Sequence, residues 1–554
     1  MDIAMLLERV RKDLPIEKKE DRIALIFYYR KHIIEFIEAV IKLDEIGSTI
    51  PFKMYTKQKE YVEAFLKYHY ILTLKSRQIG LSTVTQAIIA TILTLWPNVF
   101  CGVISKDGTE ATKFAKKTKN MIENMPKWIR PKFDKSTEQN FILTNKSELQ
   151  TATVNAHKPT NTHRGASIAL LVVDEGAFID KIEEAYYGLM PSVSKVHKVA
   201  ESKGIPYGTF IISTPNKTTG IGAWYYNTYI NALAGKNKFH VQKIHWTQIE
   251  GCDEEWYKDQ CKLLDNDRNV IAQELDMKFV ATDASVFDDV IQAYLQDENN
   301  FPKYDTVKIN VNKYDDQQHF ELKADCELFV YKHYDEDKEY LIGIDIATKR
   351  GECFTSICVC EAISLEIAAV YFGSINTLLL SELIKRIADL YPTCLIIPER
   401  NSYGETTADE LHYSKDYSSR LFYTKKELKN STEYIPGLLT TRLTRPLIVE
   451  SFITYTKENY FKINSYILAL QLIGLEDKNG KIKHGNGSKD DLVMAFGFCC
   501  YVRMYGLMVP HNKLSRNEKE SLSTLFLDGA SITDDQNKKG TGPDGSDWTD
   551  MFIY

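Results

Sequence analysis

The stretch Leu72–Pro97, LTLKSRQIGLSTVTQAIIATILTLWP, reads as a buried strand, a short polar loop and a long helix. LTLK is apolar and β-rich, and Pro97 closes the helix. Strand, loop, helix is the setting in which backbone N–H groups and a lysine hold phosphates, in the pattern GxxxxGK(S/T). Gly80 and Ser82 fit its second half, but Leu81 stands where the lysine belongs and Lys75 where the first glycine belongs. Lys75 and Arg77 flank the turn and supply positive charge, and Ser82, with Thr83 beside it, has a hydroxyl for a magnesium ion. Alone, the loop reads equally well as a nucleotide site or a plain strand-to-helix turn.

Working outward, the runs YHYILTLK, NVFCGVIS, ALLVVD and TFIIST alternate with helical stretches between about 68 and 215. That alternation predicts a parallel sheet wrapped by helices. The strand IALLVVDEGAF ends in Asp174-Glu175, where ligands bind in open α/β sheets. An acidic pair there also suits helix capping. Paired with the upstream loop, it reads as Asp174 holding magnesium through water and Glu175 deprotonating the attacking water. Thr214, in Ser213-Thr214-Pro215-Asn216 after another strand, is placed to sense a γ-phosphate, although such runs are ordinary turns. Gln58, in MYTKQKEYVEAF, suits an adenine edge or a plain helix surface.

A second strand-rich region begins near Leu328 with LFVYKHY, EYLIGIDIA, FTSICVCEA, LEIAAVYFG and CLIIPE, and predicts a mixed sheet with helices. Asp345 lies within one apolar strand, and Glu399 ends another. Asp490 and Asp491 open the helix in NGSKDDLVMAFGFCCYV. Each acid has an ordinary reading: buried hydrogen bonding, strand-end solvation or capping. Together they suit two magnesium or manganese ions about 3.5–4 Å apart on a phosphodiester, because divalent cations remove the repulsion between clustered carboxylates. The order strand-Asp, strand-Glu, helix-Asp matches the ribonuclease H-like nuclease fold.

The remaining composition is permissive. The chain has 554 residues, 44% apolar and 26% charged, enough for several domains. The net charge of −6 excludes a histone-like coating protein and requires any DNA contact to be local. Lys113, Lys116, Lys117 and Lys119 in one predicted helix are candidate phosphate contacts, as are Arg442 and Arg445 in TTRLTRPL. No apolar run is long enough to span a bilayer, and the charged opening MDIAMLLERVRKDLPIEKKEDR does not read as a signal peptide. Ten scattered cysteines without a CxxC pair read as reduced thiols. The expected organisation is a helical segment over 1–45, an ATPase core over 46–225, a connecting subdomain over 226–300, a nuclease domain over 301–509 and a flexible polar tail over 510–554 ending in MFIY.

In this order the motifs resemble the large terminase subunit of tailed bacteriophages, over most of residues 50–510. SRQIGLST looks like that family's deviant Walker A loop, HRGASIALLVVDEGAFID its Walker B segment, STPN its coupling motif and Gln58 its adenine-reading glutamine. GIDIA, PERNSYG and KDDLVMAFG look like its three nuclease segments. The resemblance implies an α/β protein: a P-loop NTPase of parallel sheet and flanking helices, then a ribonuclease H-like nuclease with a mixed sheet. It implies ATP with magnesium at Gln58, Lys75, Arg77, Gly80, Ser82, Thr83, Asp174 and Thr214, with Arg77 first choice for the missing lysine and Glu175 activating water. It implies nuclease ligands Asp345, Glu399 and Asp490, with Asp491 as a weaker candidate, and a subunit-boundary role for Arg164. Implied partners are double-stranded DNA, the procapsid portal, a small terminase subunit and further copies in a ring; the implied setting is host cytoplasm during assembly, not the mature virion. A repair helicase–nuclease, or a scaffold with a dead P-loop motivated by Leu81, is the alternative.

Overall fold

The computed structural model describes residues 2–505 apart from 164, 280–284, 316–319, 350–351, 402–403, 429–430, 479–480 and 485–490. Helices α1 (Ile3–Arg11), α2 (Lys19–Lys31) and α3 (Ile33–Val40) come first, then the hairpin β1 (Lys42–Glu45) and β2 (Ser48–Pro51) and helix α4 (Thr56–Tyr68). Strand β3 (Tyr70–Lys75) runs into α5 (Leu81–Leu95), and β4 (Phe100–Ile104) into α6 (Gly108–Glu123). Next come β5 (Phe133–Ser136), β6 (Asn140–Leu143), β7 (Glu148–Ala152), β8 (Ile168–Asp174), α7 (Ile182–Ser202), β9 (Gly208–Ser213), α8 (Ala223–Leu233) and β10 (His240–Ile244). Helices α9 (Glu254–Leu263), α10 (Arg268–Glu274) and α11 (Asp289–Gln296) follow.

The second half opens with β11 (Asp305–Asp315), β12 (Phe320–Val330), β13 (Tyr340–Lys349), β14 (Glu352–Glu361) and β15 (Ile367–Asn376). It continues with α12 (Leu380–Leu390), β16 (Cys394–Pro398), α13 (Gly404–Tyr413), α14 (Lys415–Ser418), β17 (Tyr423–Leu428), β18 (Ser431–Pro436) and α15 (Thr444–Asn459). Helix α16 (Tyr466–Ile473), the hairpin β19 (Leu475–Lys478) and β20 (Lys481–His484), and α17 (Asp491–Met504) complete it.

The chain divides into two units. The first holds Met1–Asn300 and Tyr466–Asp490, the second Phe301–Ser465 and the residues from Asp491 on. In the first, eight strands run in the order β10-β3-β9-β8-β4-β7-β6-β5. The pairings from β10 to β7 are parallel, and only β7-β6 and β6-β5 are antiparallel. Strands β8 and β9 are buried nearly throughout, as continuous apolar runs covered on both faces must be. Helix α5 is apolar on almost every face and correspondingly buried.

The second unit is built on a six-stranded mixed sheet, β11-β12-β15-β14-β13-β16, in which only β13 and β16 are parallel. Strands β13, β14 and β15 form an antiparallel meander. Both halves are thus α/β, with a mainly parallel sheet first and a mixed sheet second. The expected nuclease span 301–509 is interrupted, because α16 and the β19–β20 hairpin group with the first unit. There the apolar α16 is buried, Tyr226 donates to the Leu470 carbonyl and Tyr466 to the Gln296 carbonyl at 3.2 Å. The tail 510–554 lies outside the described residues. No described helix is long and apolar enough to cross a membrane.

Candidate functional site: a cation-lined cavity and a pair of strand-end acids

The loop after β3 is shaped by Gly80, which has φ 76° and caps α5. Side chains rarely adopt that backbone, and a Cβ there would stand 2.8 Å from Gln58 Nε2. Gln58 is buried; its Oε1 accepts the Tyr55 N–H at 3.0 Å and its Nε2 donates to the Ile79 carbonyl at 3.4 Å. The glutamine therefore braces the loop from behind.

In front of the loop lies a cavity of about 320 Å³ at the C-terminal ends of the parallel strands. Arg77, Ser82, Asp174, Glu175 and Thr214 line it. Gln58, Lys75, Gly80 and Thr83 do not, so the expected cofactor-binding group divides into lining residues and residues behind or beside the wall. Arg164 is outside the described residues.

Two acids and the buried Lys75 dominate the electrostatics at the strand ends. Lys75, only 6% exposed, donates to Glu175 Oε1 at 2.8 Å. Glu175 Oε2 accepts from the Thr214 N–H at 3.3 Å and the Ser213 hydroxyl at 3.4 Å. Burial pushes the Glu175 carboxyl up, but the charge and hydrogen bond of Lys75 and the Thr214 N–H outweigh it, leaving it below the usual carboxylate range. Asp174 accepts from Ser82 Oγ at 3.2 Å. Burial, then the neighbouring Glu175 charge, push Asp174 up to about 6 against Lys75 and Ser82. A half-buried carboxylate short of positive charge, with a hydroxyl beside it, is a donor set that suits a hard divalent cation.

Glu175 is held at φ 55°, ψ 47°, a left-handed conformation that an acid adopts only when its surroundings enforce it. Those surroundings are explicit. Asn216 Nδ2 donates to the Ala177 carbonyl at 2.9 Å, and Ser213 Oγ accepts the Ala177 N–H at 3.1 Å. The run 213–216 thus clasps the turn that carries Glu175.

Three features of this site were not legible as such. Lys113 and Lys117, read as DNA contacts, line the cavity from α6. Lys106 lines it from the end of β4, where the strand-end rule that picked out Asp174 applies equally. Glu274, at the end of α10, pairs with Arg77 at 3.2 Å and accepts the Arg77 N–H on its carbonyl at 2.7 Å. Ser76 Oγ donates to the next carbonyl, Leu275, at 2.6 Å. No local pattern links residues almost two hundred positions apart.

In the second unit, Asp345 lies in β13, and Glu399 follows β16, the parallel neighbour of β13. The Glu399 N–H donates to the Ile344 carbonyl at 2.9 Å, which sets Glu399, just past the end of β16, beside Asp345 within β13. Asp491 opens α17, which lies against β13 so closely that a Cβ on Gly343 would strike the Ala495 carbonyl. Asp490 is outside the described residues. Among those described, no group of three or more His, Cys, Asp or Glu is placed to hold a metal. The carboxylate oxygens of Asp345 and Glu399 are donors of the type magnesium takes.

No family model matches the sequence. Several solved structures of phage large terminases are similar to it. The HK97 bacteriophage large terminase is 11% identical with a TM-score of 0.40, over 85% of this chain and 99% of that one. The large terminase ATPase domain of Thermus phage P74-26 is 17% identical with a TM-score of 0.31, over 41% and 95%. The large terminase nuclease of thermophilic phage G20c, with bound magnesium, is 12% identical with a TM-score of 0.27, over 40% and 97%.

Proposed function

We propose that this chain is a DNA-packaging motor that hydrolyses ATP in the first unit and cuts DNA in the second. The observation that carries the first half is the grouping of Ser82, Asp174 and Glu175 at one cavity, with Lys75 paired to Glu175 from beside its wall. ATP enters with its phosphates over the 75–82 loop, at the N-terminus of α5. Arg77 takes the phosphate oxygens once it leaves Glu274, its guanidinium holding two at once. Lys106, Lys113 and Lys117 add charge from the facing wall. Glu175, ionised by Lys75, orients the attacking water and takes its proton. Loss of the γ-phosphate changes the demand on Glu175, and Ser213, Thr214 and Asn216 carry that change away.

Ser82 and Asp174 would hold one magnesium, and Asp345 and Glu399, with Asp490, a pair. There the ions neutralise phosphate charge and sharpen the nucleophile. In the second unit the scissile phosphodiester would lie beside Asp345 in β13 and Glu399 just after β16. The substrate is double-stranded DNA gripped by its backbone, since a motor that moves every sequence should not read base edges. The portal of a procapsid, a small terminase subunit and a ring of further copies complete the reading, in the host cytoplasm during assembly.

The test is steady-state ATP turnover. Glu175→Gln keeps the shape and removes the base, so turnover should fall by about 10²–10⁴-fold while nucleotide binding persists. Equal, background-level rates in wild type and variant would favour a scaffold with an inactive loop.

A further inference from the structure

We propose that Asn401 is a positioning residue that joins the Glu399 carboxylate to a DNA-binding loop carrying Arg442. This rests on the nuclease reading and adds to it a link between metal ligand and substrate contact.

The backbone around Glu399 is fixed on both sides. Its N–H bonds the Ile344 carbonyl, the Arg400 N–H bonds the Leu438 carbonyl at 2.8 Å, and the Leu438 N–H bonds the Pro398 carbonyl at 2.8 Å. Residues 398–400 therefore lie between β13 and the segment leading into 439–444. The Asn401 side chain reaches across that junction. Asn401 Nδ2 donates to Glu399 Oε1 at 2.9 Å and to the Thr440 carbonyl at 3.3 Å.

Beyond Thr440 the loop is tied by two threonines. Thr441 Oγ accepts the N–H groups of Leu443 at 3.2 Å and Thr444 at 3.1 Å, while Thr444 Oγ donates to the Leu439 carbonyl at 3.0 Å. This closed turn holds Arg442 and Leu443 at the surface, Leu443 being 67% exposed.

The chemistry follows from the charges. A neutral N–H donor on one oxygen of Glu399 orients the carboxylate and leaves its other oxygen for a cation. Such partners of a ligand typically govern metal affinity by about 10–100-fold. Clustered acids also repel an approaching phosphodiester, so productive docking needs a cation held at fixed register beside them. Arg442, set by the loop that Asn401 ties to Glu399, is that cation.

The experiment uses the full chain and two probes: Mn²⁺ alone, followed by its spin resonance, and a short fluorescent duplex in Ca²⁺. Asn401→Ala should weaken Mn²⁺ binding by about 10–100-fold and lower cleavage mainly through kcat. Arg442→Ala should leave Mn²⁺ binding unchanged. It should weaken duplex binding uniformly across sequences and flatten the salt dependence by about one ion. Wild-type Mn²⁺ affinity in Asn401→Ala, or wild-type duplex affinity and salt slope in Arg442→Ala, overturns the proposal. If Asn401→Ala does not fold, the exposed Arg442 decides by the same duplex measurement. A wild-type chain that neither binds Mn²⁺ nor cuts DNA would instead overturn the nuclease reading itself.

Discussion

At the scale of single residues, the strand-end chemistry is the most legible part of the protein. Asp174, Glu175, Ser82 and Thr214 are recognisable because apolar strands deliver them to one edge of a parallel sheet, and the structure gathers them there. Gln58 is not legible in the same way. A helix glutamine has no pattern that distinguishes an adenine contact from the brace to Ile79 found here. Burial also creates a titration that periodicity does not reveal. His197 is 3% exposed, bonds the Tyr70 hydroxyl at 2.8 Å, and is pushed by burial from 6.5 to about 4. A histidine whose folded pKa lies below its unfolded value contributes stability that is complete above about 6.5 and lost as pH falls toward 4. The loss is about 3 kcal/mol. All tryptophans except Trp548 lie in the first unit, so urea unfolding followed by their fluorescence reports on it. The stability gap between wild type and His197→Gln should narrow from pH 7 to pH 4.5; a gap independent of pH contradicts the assignment.

At the scale of elements, the long buried ones announce themselves and the short exposed ones do not. Strands β3, β4, β8 and β9 and helix α5 are apolar because sheet and helices cover them. Helices α9 and α10 bury no residue fully, so the stretch 254–274 carries no strong core signal to read. Yet α10 ends on the nucleotide loop, where Glu274 pairs with Arg77. Arg77 is 57% exposed, so the pair is worth no more than about 1 kcal/mol. Glu274→Ala should release Arg77 and tighten ATP-analogue binding by up to about fivefold. Weaker binding would mean that α10 supports the loop rather than competing for its arginine. Gly80→Ala makes a second case: the left-handed backbone and the Gln58 amide both oppose a Cβ, so nucleotide affinity should fall together with stability by about 1 kcal/mol, read by titration and thermal unfolding.

At the scale of the whole molecule, chain order is a poor guide to grouping. The sequence places 466–490 amid nuclease motifs, but α16 is an apolar helix whose partners, Tyr226 and Gln296, belong to the first unit. Pairing partners so far apart leave no local signal. The division into a mainly parallel sheet and a mixed sheet is legible, because strands alternate with helices in the first half and follow one another in the second. The central claim is that these two sets perform separate chemistries. It is tested most directly by measuring ATP turnover and plasmid cleavage side by side in wild type, Glu175→Gln and Asp345→Asn. The expected result is that Glu175→Gln loses turnover and keeps metal-dependent cleavage, whereas Asp345→Asn loses cleavage and keeps turnover. Loss of both activities in either folded variant, or cleavage untouched by Asp345→Asn, would contradict it.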